Sequence, residues 1–150
     1  MQSFFRLLIL SLYLAACTND SDPDCSLVDC AGDMPINLEI RIGGVDVLAN
    51  GTYTQTDIRA EFGGGIDPRI RVFTDLEGSA SALLEITVSD GDAGTYPFIL
   101  NLGSDRSVSM AVEYYAFTDP CCSMFVGVKE VTSSEATVTE ASGYYRLDLP

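Results

Sequence analysis

The chain has 150 residues, of which 47% are hydrophobic and 20% charged, and its formal net charge is −14. This length suits one domain, because a second core would have to be built from fewer than about 75 residues. The chain has no His, the side chain that most often serves as general base or metal ligand. Eight basic residues against 22 acidic ones argue against a nucleic-acid partner, which needs clusters of Lys and Arg.

The first 17 residues have the anatomy of a secretory signal peptide. A short basic region with Arg6 is followed by an apolar run from Leu7 to Leu14, and small Ala15 and Ala16 then precede Cys17. An apolar run of this length is too short for a transmembrane helix, which needs about 20 residues. We therefore predict that residues 1–16 are an export signal.

The end of this leader, Leu14-Ala15-Ala16-Cys17, resembles the lipobox of bacterial lipoproteins. In that family the signal is cut just before the Cys and the Cys is acylated. The resemblance therefore implies that Cys17 carries palmitate-type acyl chains as the first residue of the mature protein. Each buried methylene contributes ~0.8 kcal/mol, so several chains hold a protein durably on a membrane. In the family's sorting rule, an Asp directly after the lipidated Cys retains the protein at the inner membrane. This chain has Thr18 at that position, so the resemblance implies the outer membrane.

Residues 17–34 are predicted to be the lipidated Cys and an acidic tether. The segment from Thr18 to Asp24 holds three Asp and no cation, a composition typical of a solvated spacer. Such acidic tracts also resemble the surface-export signals of some Gram-negative lipoproteins. The tether is the favoured interpretation, and the membrane face that the domain occupies stays open between surface and periplasm.

The other four cysteines are Cys25, Cys30, Cys121 and Cys122. An exported chain meets an oxidising compartment, where an even number of cysteines is typical of disulfides. Three pairings are open, and the two that join the first pair of cysteines to the second avoid a strained bond between neighbours. A thiolate zinc site is disfavoured because adjacent cysteines do not form the usual chelating pair. We predict structural disulfides.

From residue 35 to residue 150 the chain consists of short alternating runs divided by Gly, Asn, Asp and Pro. Ile36, Leu38 and Ile40, for example, alternate with polar residues, the pattern of a half-buried strand. No window has a sustained helical repeat. We predict one all-β domain, an antiparallel β-sandwich of eight or nine short strands, with a small β-barrel as the alternative.

Two short segments of this domain predict hairpin turns, Asp90-Gly91-Asp92 and Leu102-Gly103-Ser104-Asp105. The overall pattern is similar to immunoglobulin-like and transthyretin-like modules. That similarity implies an architecture and no particular activity.

Several large apolar residues fall on the strand phase opposite to the predicted core. These are Leu83, Ile99, Tyr115, Phe125 and Phe73. A contiguous patch of such side chains would be a recognition surface, since aromatic anchors dominate protein interfaces and stack on sugar rings. The alternative, which we favour, is that loops cover them or that the assigned phase is wrong.

Catalytic groups are scarce. Without His there is no Ser-His-Asp triad, and the sole Lys129 is a poor basis for a Ser-Lys dyad. Glu39, Glu85 and Glu113 lie on the polar phase of their strands, where a solvated sheet face is expected. We predict no enzyme and no cofactor.

Asp90 and Asp92 are a candidate Ca²⁺ pair, although Asp is also common in turns, the interpretation that we favour. The sequence as a whole predicts a membrane-anchored, non-catalytic binding module for an envelope protein or a glycan. The alternatives are a structural or assembly accessory of the envelope without a small-molecule ligand and, third, a small hydrolase.

Overall fold

The computed structural model describes residues 34–74, 81–89, 92–118, 121 and 125–150. Within these ranges the chain forms ten strands and two three-residue 3-10 turns, Gln55–Asp57 and Gly63–Gly65. The strands are β1 (Met34–Ile42), β2 (Val45–Asp46), β3 (Ile58–Phe62), β4 (Arg69–Thr74), β5 (Ala82–Val88), β6 (Gly94–Leu102), β7 (Arg106–Phe117), β8 (Phe125–Ser133), β9 (Thr137–Ala141) and β10 (Tyr144–Leu149). The predicted leader and nearly all of the tether lie outside the described residues.

The strands are arranged in two sheets that enclose one core. A six-stranded sheet has the order β4-β5-β1-β10-β9, with β2 paired to β1, and a four-stranded sheet has the order β3-β6-β7-β8. The predicted β-sandwich is confirmed, and the described strands do not close into the alternative barrel. The strands outnumber the eight or nine predicted, with β2 contributing only Val45 and Asp46.

One strand pair departs from the predicted antiparallel arrangement. β1 and β10 run parallel, with Leu38 opposite Tyr145 and Glu39 opposite Arg146, whereas the other pairings are antiparallel. A parallel pair needs a long crossover between its strands. The eight intervening strands supply that crossover, so the last strand returns beside the first.

Of the two predicted hairpins, one is wrong and one is confirmed. Asp90 and Gly91 lie outside the described residues, but the strands on either side belong to different sheets: β5 pairs with β1 and β4, and β6 pairs with β3 and β7. β5 and β6 therefore do not form the predicted hairpin. A turn sequence specifies a reversal of the chain but not the sheet that receives the next strand. The second hairpin joins β6 to β7, with Leu102 opposite Arg106 and Gly103 at a positive φ of 64°.

The core lies between the sheets and follows the predicted alternation. Its fully buried side chains include Ile36, Leu38, Ile40, Leu84, Ile86, Leu100, Leu102, Val112 and Leu147. Because successive side chains of a strand point to opposite faces, the residues between these positions form the two outer faces of the sandwich. Any recognition surface built on a sheet lies on one of those outer faces.

Candidate functional site

The outer face of the six-stranded sheet collects half of the basic residues of an acidic chain. Arg69 and Arg71 lie on β4, Arg41 on β1 and Arg146 on β10, each on the phase that points away from the core. The whole chain has eight Lys and Arg and a net charge of −14. We call the surface formed by these four residues the arginine face.

At the centre of the arginine face, Glu39 is buried between two of the arginines. Only 1% of its surface is exposed. Arg41 donates to Glu39 Oε1 from Nε at 3.0 Å and from Nη2 at 2.7 Å, and Arg146 Nε donates to Oε2 at 2.8 Å. Strand geometry explains the cluster, because Arg146 lies opposite Glu39 across the parallel pair and Arg41 is the next residue of β1 on that face.

The electrostatics of this cluster favour the charged forms of Glu39 and Arg146. Burial alone would raise the pKa of Glu39, but hydrogen bonds from Arg146 and Arg41, together with their charges, outweigh it and lower the pKa below 4.5. The hydrogen bond to Glu39 raises the pKa of Arg146. Two cations thus share one carboxylate, so the cluster has a surplus positive charge.

The two guanidinium groups remain accessible even though Glu39 orients them. The side chains of Arg41 and Arg146 are 31% and 38% exposed. A guanidinium has five N–H donors, so each arginine keeps donors that Glu39 does not use. The expectation that Glu39 is solvated was therefore wrong: a carboxylate on the polar phase is buried here by the arginines beside it.

Two of the predicted binding residues lie beside this cluster. Phe73 on β4 is opposite Leu83 on β5, and both belong to the outer face that carries Arg71. Phe73 is 39% exposed, Leu83 is half-buried, and Arg71 lies 3.9 Å from the carboxylate of Glu85. An aromatic ring beside arginines is the composition that protein interfaces favour.

The other predicted binding residues belong to the opposite sheet. Ile99 and Tyr115 are exposed there, and Phe125 is opposite Phe117, although the side chain of Phe125 lies outside the described residues. Ile99 is paired with Ser109, six residues before Tyr115 on β7, which corresponds to about 20 Å along the strand. The five predicted residues therefore divide between two faces and do not form one patch.

The end of β7 and β8 extends beyond β6 as a two-stranded ribbon. Pairing with β6 ends at Tyr114, whereas pairing between β7 and β8 continues to Phe117. The rings of Tyr115 and Phe117 stack there, with centroids 5.4 Å apart. Tyr115 also lies over Gly127, where an added Cβ would be 3.0 Å from the ring. The sequence interpretation missed Phe117, although it shares the strand phase of Tyr115.

The predicted metal and disulfide residues are only partly described. Asp92 bonds through its backbone to the Tyr96 hydroxyl, and Asp90 is outside the described residues. In the described part of the chain, no group of three or more His, Cys, Asp or Glu is arranged to hold a metal ion. Cys121 is disulfide-bonded, but Cys25, Cys30 and Cys122 are not described, so the pairing stays a prediction.

Comparison of the chain with protein-family models, with curated proteins and with solved structures finds no significant match. None of the helical turns in the described ranges is long and apolar enough to cross a membrane.

Proposed function

We propose that this chain is a lipid-anchored, non-catalytic binding module of the bacterial outer membrane, and that its arginine face docks an acidic protein of the cell envelope. The lipobox-like Leu14-Ala15-Ala16-Cys17 supports the anchor, and the acidic segment after it supports a spacer between membrane and domain. The docking proposal rests on one observation. Half of the basic residues of a chain with net charge −14 share one sheet face.

Charge distribution favours a protein with an acidic patch as the partner. The carboxylates of Glu39, Glu85 and Asp148 on the same face offset three of its four positive charges, which leaves a net charge of +1. The remainder of the chain is strongly acidic, so an acidic patch is repelled elsewhere on the domain and docking in other orientations is disfavoured. The negative net charge also disfavours adhesion to anionic lipid or lipopolysaccharide. The exposed Phe73 beside Arg71 adds the apolar anchor that interfaces between proteins use more than purely ionic contacts do.

Pre-organisation of the arginines supports the same function. Binding normally has an entropic cost for immobilising long side chains, of the order of 0.5–1.5 kcal/mol each. Glu39 already holds Arg41 and Arg146 through three hydrogen bonds, so much of that ordering is complete before a partner arrives.

The lack of His and the engagement of the three candidate carboxylates support a non-catalytic role. Glu39 is bonded to two arginines, Glu85 lies near Arg71, and Glu113 forms an ion pair with Lys129 at 2.7 Å. A general acid or base needs a carboxyl group free to exchange a proton with substrate.

Site-specific photo-crosslinking in living cells tests the docking proposal. A photoreactive phenylalanine analogue replaces Phe73 in one strain and Ile99 in a matched control strain, since the two side chains are 39% and 44% exposed on opposite faces. We expect a discrete protein adduct from position 73 and none from position 99. Adding Arg71→Glu should abolish the adduct, whereas Arg59→Glu, the same charge change on the other sheet, should leave it. An adduct that forms equally from both positions, or that survives Arg71→Glu, would reject the proposal.

A further inference from the structure

A polar groove lies on the outer face of the four-stranded sheet, on the opposite side of the sandwich from the arginine face. Its volume is about 620 Å³, and polar side chains and one glycine line it. Arg59 and Glu61 of β3, Asn101 of β6 and Ser107 of β7 form its strand side. Arg59, Asn101 and Ser107 lie side by side in the register of these three strands.

A chain of hydrogen bonds across the three strands orients the polar groups of the groove. Ser107 Oγ donates to Asn101 Oδ1 at 2.6 Å, and Asn101 Nδ2 donates to Glu61 Oε1 at 2.8 Å. These bonds fix the amide of Asn101 but leave its second N–H and the other oxygen of Glu61 for a ligand. The side chain of Arg59 forms no hydrogen bond or ion pair with any described residue, so its N–H donors are also open to a ligand.

The charges and the lining restrict the class of ligand. The groove has one cation, Arg59, against the carboxylates of Asp57 and Glu61, a balance that disfavours polyanions. Hydrogen bonds from Thr54 lower the pKa of Asp57, which therefore stays ionised at neutral pH. Apolar ligands are disfavoured as well, because sites for them are lined mainly by hydrophobic and aromatic side chains.

A neutral ligand rich in hydroxyl groups fits this lining best. Each hydroxyl both donates and accepts, so it pairs at once with a carboxylate or amide oxygen and with an N–H of Arg59 or Asn101. Ile99 lies opposite Glu61 on the same face and is 44% exposed, which provides an apolar contact for the C–H face of a sugar ring. We propose that the groove binds a neutral oligosaccharide, a site separate from the arginine face and independent of the docking function.

Titration calorimetry on the full-length, detergent-solubilised protein tests this site. The probes are chitotetraose, mannotetraose and maltotetraose, with a sulfated disaccharide as the polyanionic comparison. We expect at least one neutral tetrasaccharide to bind and the sulfated disaccharide not to bind. Asn101→Ala and Arg59→Ala should each weaken binding about tenfold, the loss expected for one good hydrogen bond to a ligand.

Matched variants separate this proposal from folding defects and from the docking function. Thr132→Ala, an exposed change on the same sheet outside the groove, should leave binding unchanged, as should Arg71→Glu on the arginine face. Arg59 is exposed and its side chain has no partner among the described residues, so Arg59→Ala keeps the fold and remains informative even where Asn101→Ala does not. The site is rejected by three results: no neutral tetrasaccharide binding at about 10 mM, tighter binding of the sulfated probe, or full affinity in Arg59→Ala.

Discussion

Replacing Glu39 with Gln tests the charge cluster on which the arginine face is built. The substitution keeps the size of the side chain and removes its negative charge. It leaves Arg41 and Arg146 facing a neutral amide, whose single oxygen cannot accept all three of the hydrogen bonds that the carboxylate accepts. The Glu39→Gln variant should therefore be less stable than the wild type at neutral pH.

The expected loss lies between those of an exposed and a fully buried ion pair. Exposed pairs contribute about 0–1 kcal/mol, whereas breaking a buried pair costs about 3–5 kcal/mol. Glu39 is 1% exposed, but the two arginines are 31% and 38% exposed, so water hydrates them once the carboxylate is gone. We expect Glu39→Gln to lower the free energy of unfolding by about 2–4 kcal/mol, which denaturant titration measures directly.

The difference in unfolding free energy between wild type and Glu39→Gln should depend on pH with a definite sign. Burial raises the pKa of Glu39, but the hydrogen bonds and charges of Arg146 and Arg41 lower it by more than burial raises it. The pKa of Glu39 in the folded protein therefore lies below 4.5. A lowered folded pKa means that the stabilisation is fully present above about pH 4.5 and is lost as the pH falls through the folded value. The difference in unfolding free energy between wild type and Glu39→Gln should therefore be constant near neutral pH and become smaller as the pH falls.

Glu85→Gln is the matched control, since it removes the same charge from the same face. Glu85 is 26% exposed and 3.9 Å from Arg71, so we expect a change below about 1 kcal/mol. Equal losses in the two variants, or a gap between wild type and Glu39→Gln that widens at low pH, would refute the assignment of Glu39 as a buried, paired carboxylate.

Three further outcomes follow from the packing and from the predicted anchor. Leu100 is fully buried, so Leu100→Ala should lower the free energy of unfolding by about 2–5 kcal/mol in denaturant titration, and a loss well under about 1 kcal/mol would contradict its core position. Gly127→Ala places a Cβ 3.0 Å from the Tyr115 ring and should displace it, seen as changed ring chemical shifts; unchanged shifts would contradict this contact. Cys17→Ala should move the protein out of the membrane fraction and end palmitate incorporation, and a variant that stays labelled and membrane-bound would contradict the lipid anchor.

The alternation of apolar and polar residues along the sequence was sufficient to predict the hydrophobic core and the β-sandwich class. Ile36, Leu38 and Ile40 are all fully buried because one face of β1 packs against the core and strand geometry repeats every two residues. Alternation does not identify partners, since strands of both sheets carry the same pattern. The prediction of a hairpin at Asp90-Gly91-Asp92 was wrong for this reason, and the parallel pairing of β1 with β10 was not predicted.

The composition of the two outer sheet faces could not be predicted from local sequence patterns, because it depends on which strands pair. Phase alone put Phe73 and Ile99 in one candidate set, but strand pairing places them on opposite sheets. The burial of Glu39 depends on Arg146, which is 107 residues away in the chain and reaches it only through the parallel pair. A Glu between apolar residues has the same sequence pattern whether its face is solvated or covered by arginines.

Stability alone does not explain the charge cluster at Glu39. A buried ion pair is often no more stabilising than hydrophobic residues of similar volume, so a more apolar outer face would serve folding equally well. Such a face would not present guanidinium groups in a fixed orientation. In a chain of net charge −14, Glu39 holds two of the eight basic residues in place on one face, where their remaining donors are accessible. Fixed, partly exposed arginines suit the recognition of carboxylates, because their planar fork of N–H donors is oriented before a partner binds. The docking function that we propose would account for both the burial of the carboxylate and the placement of the cations.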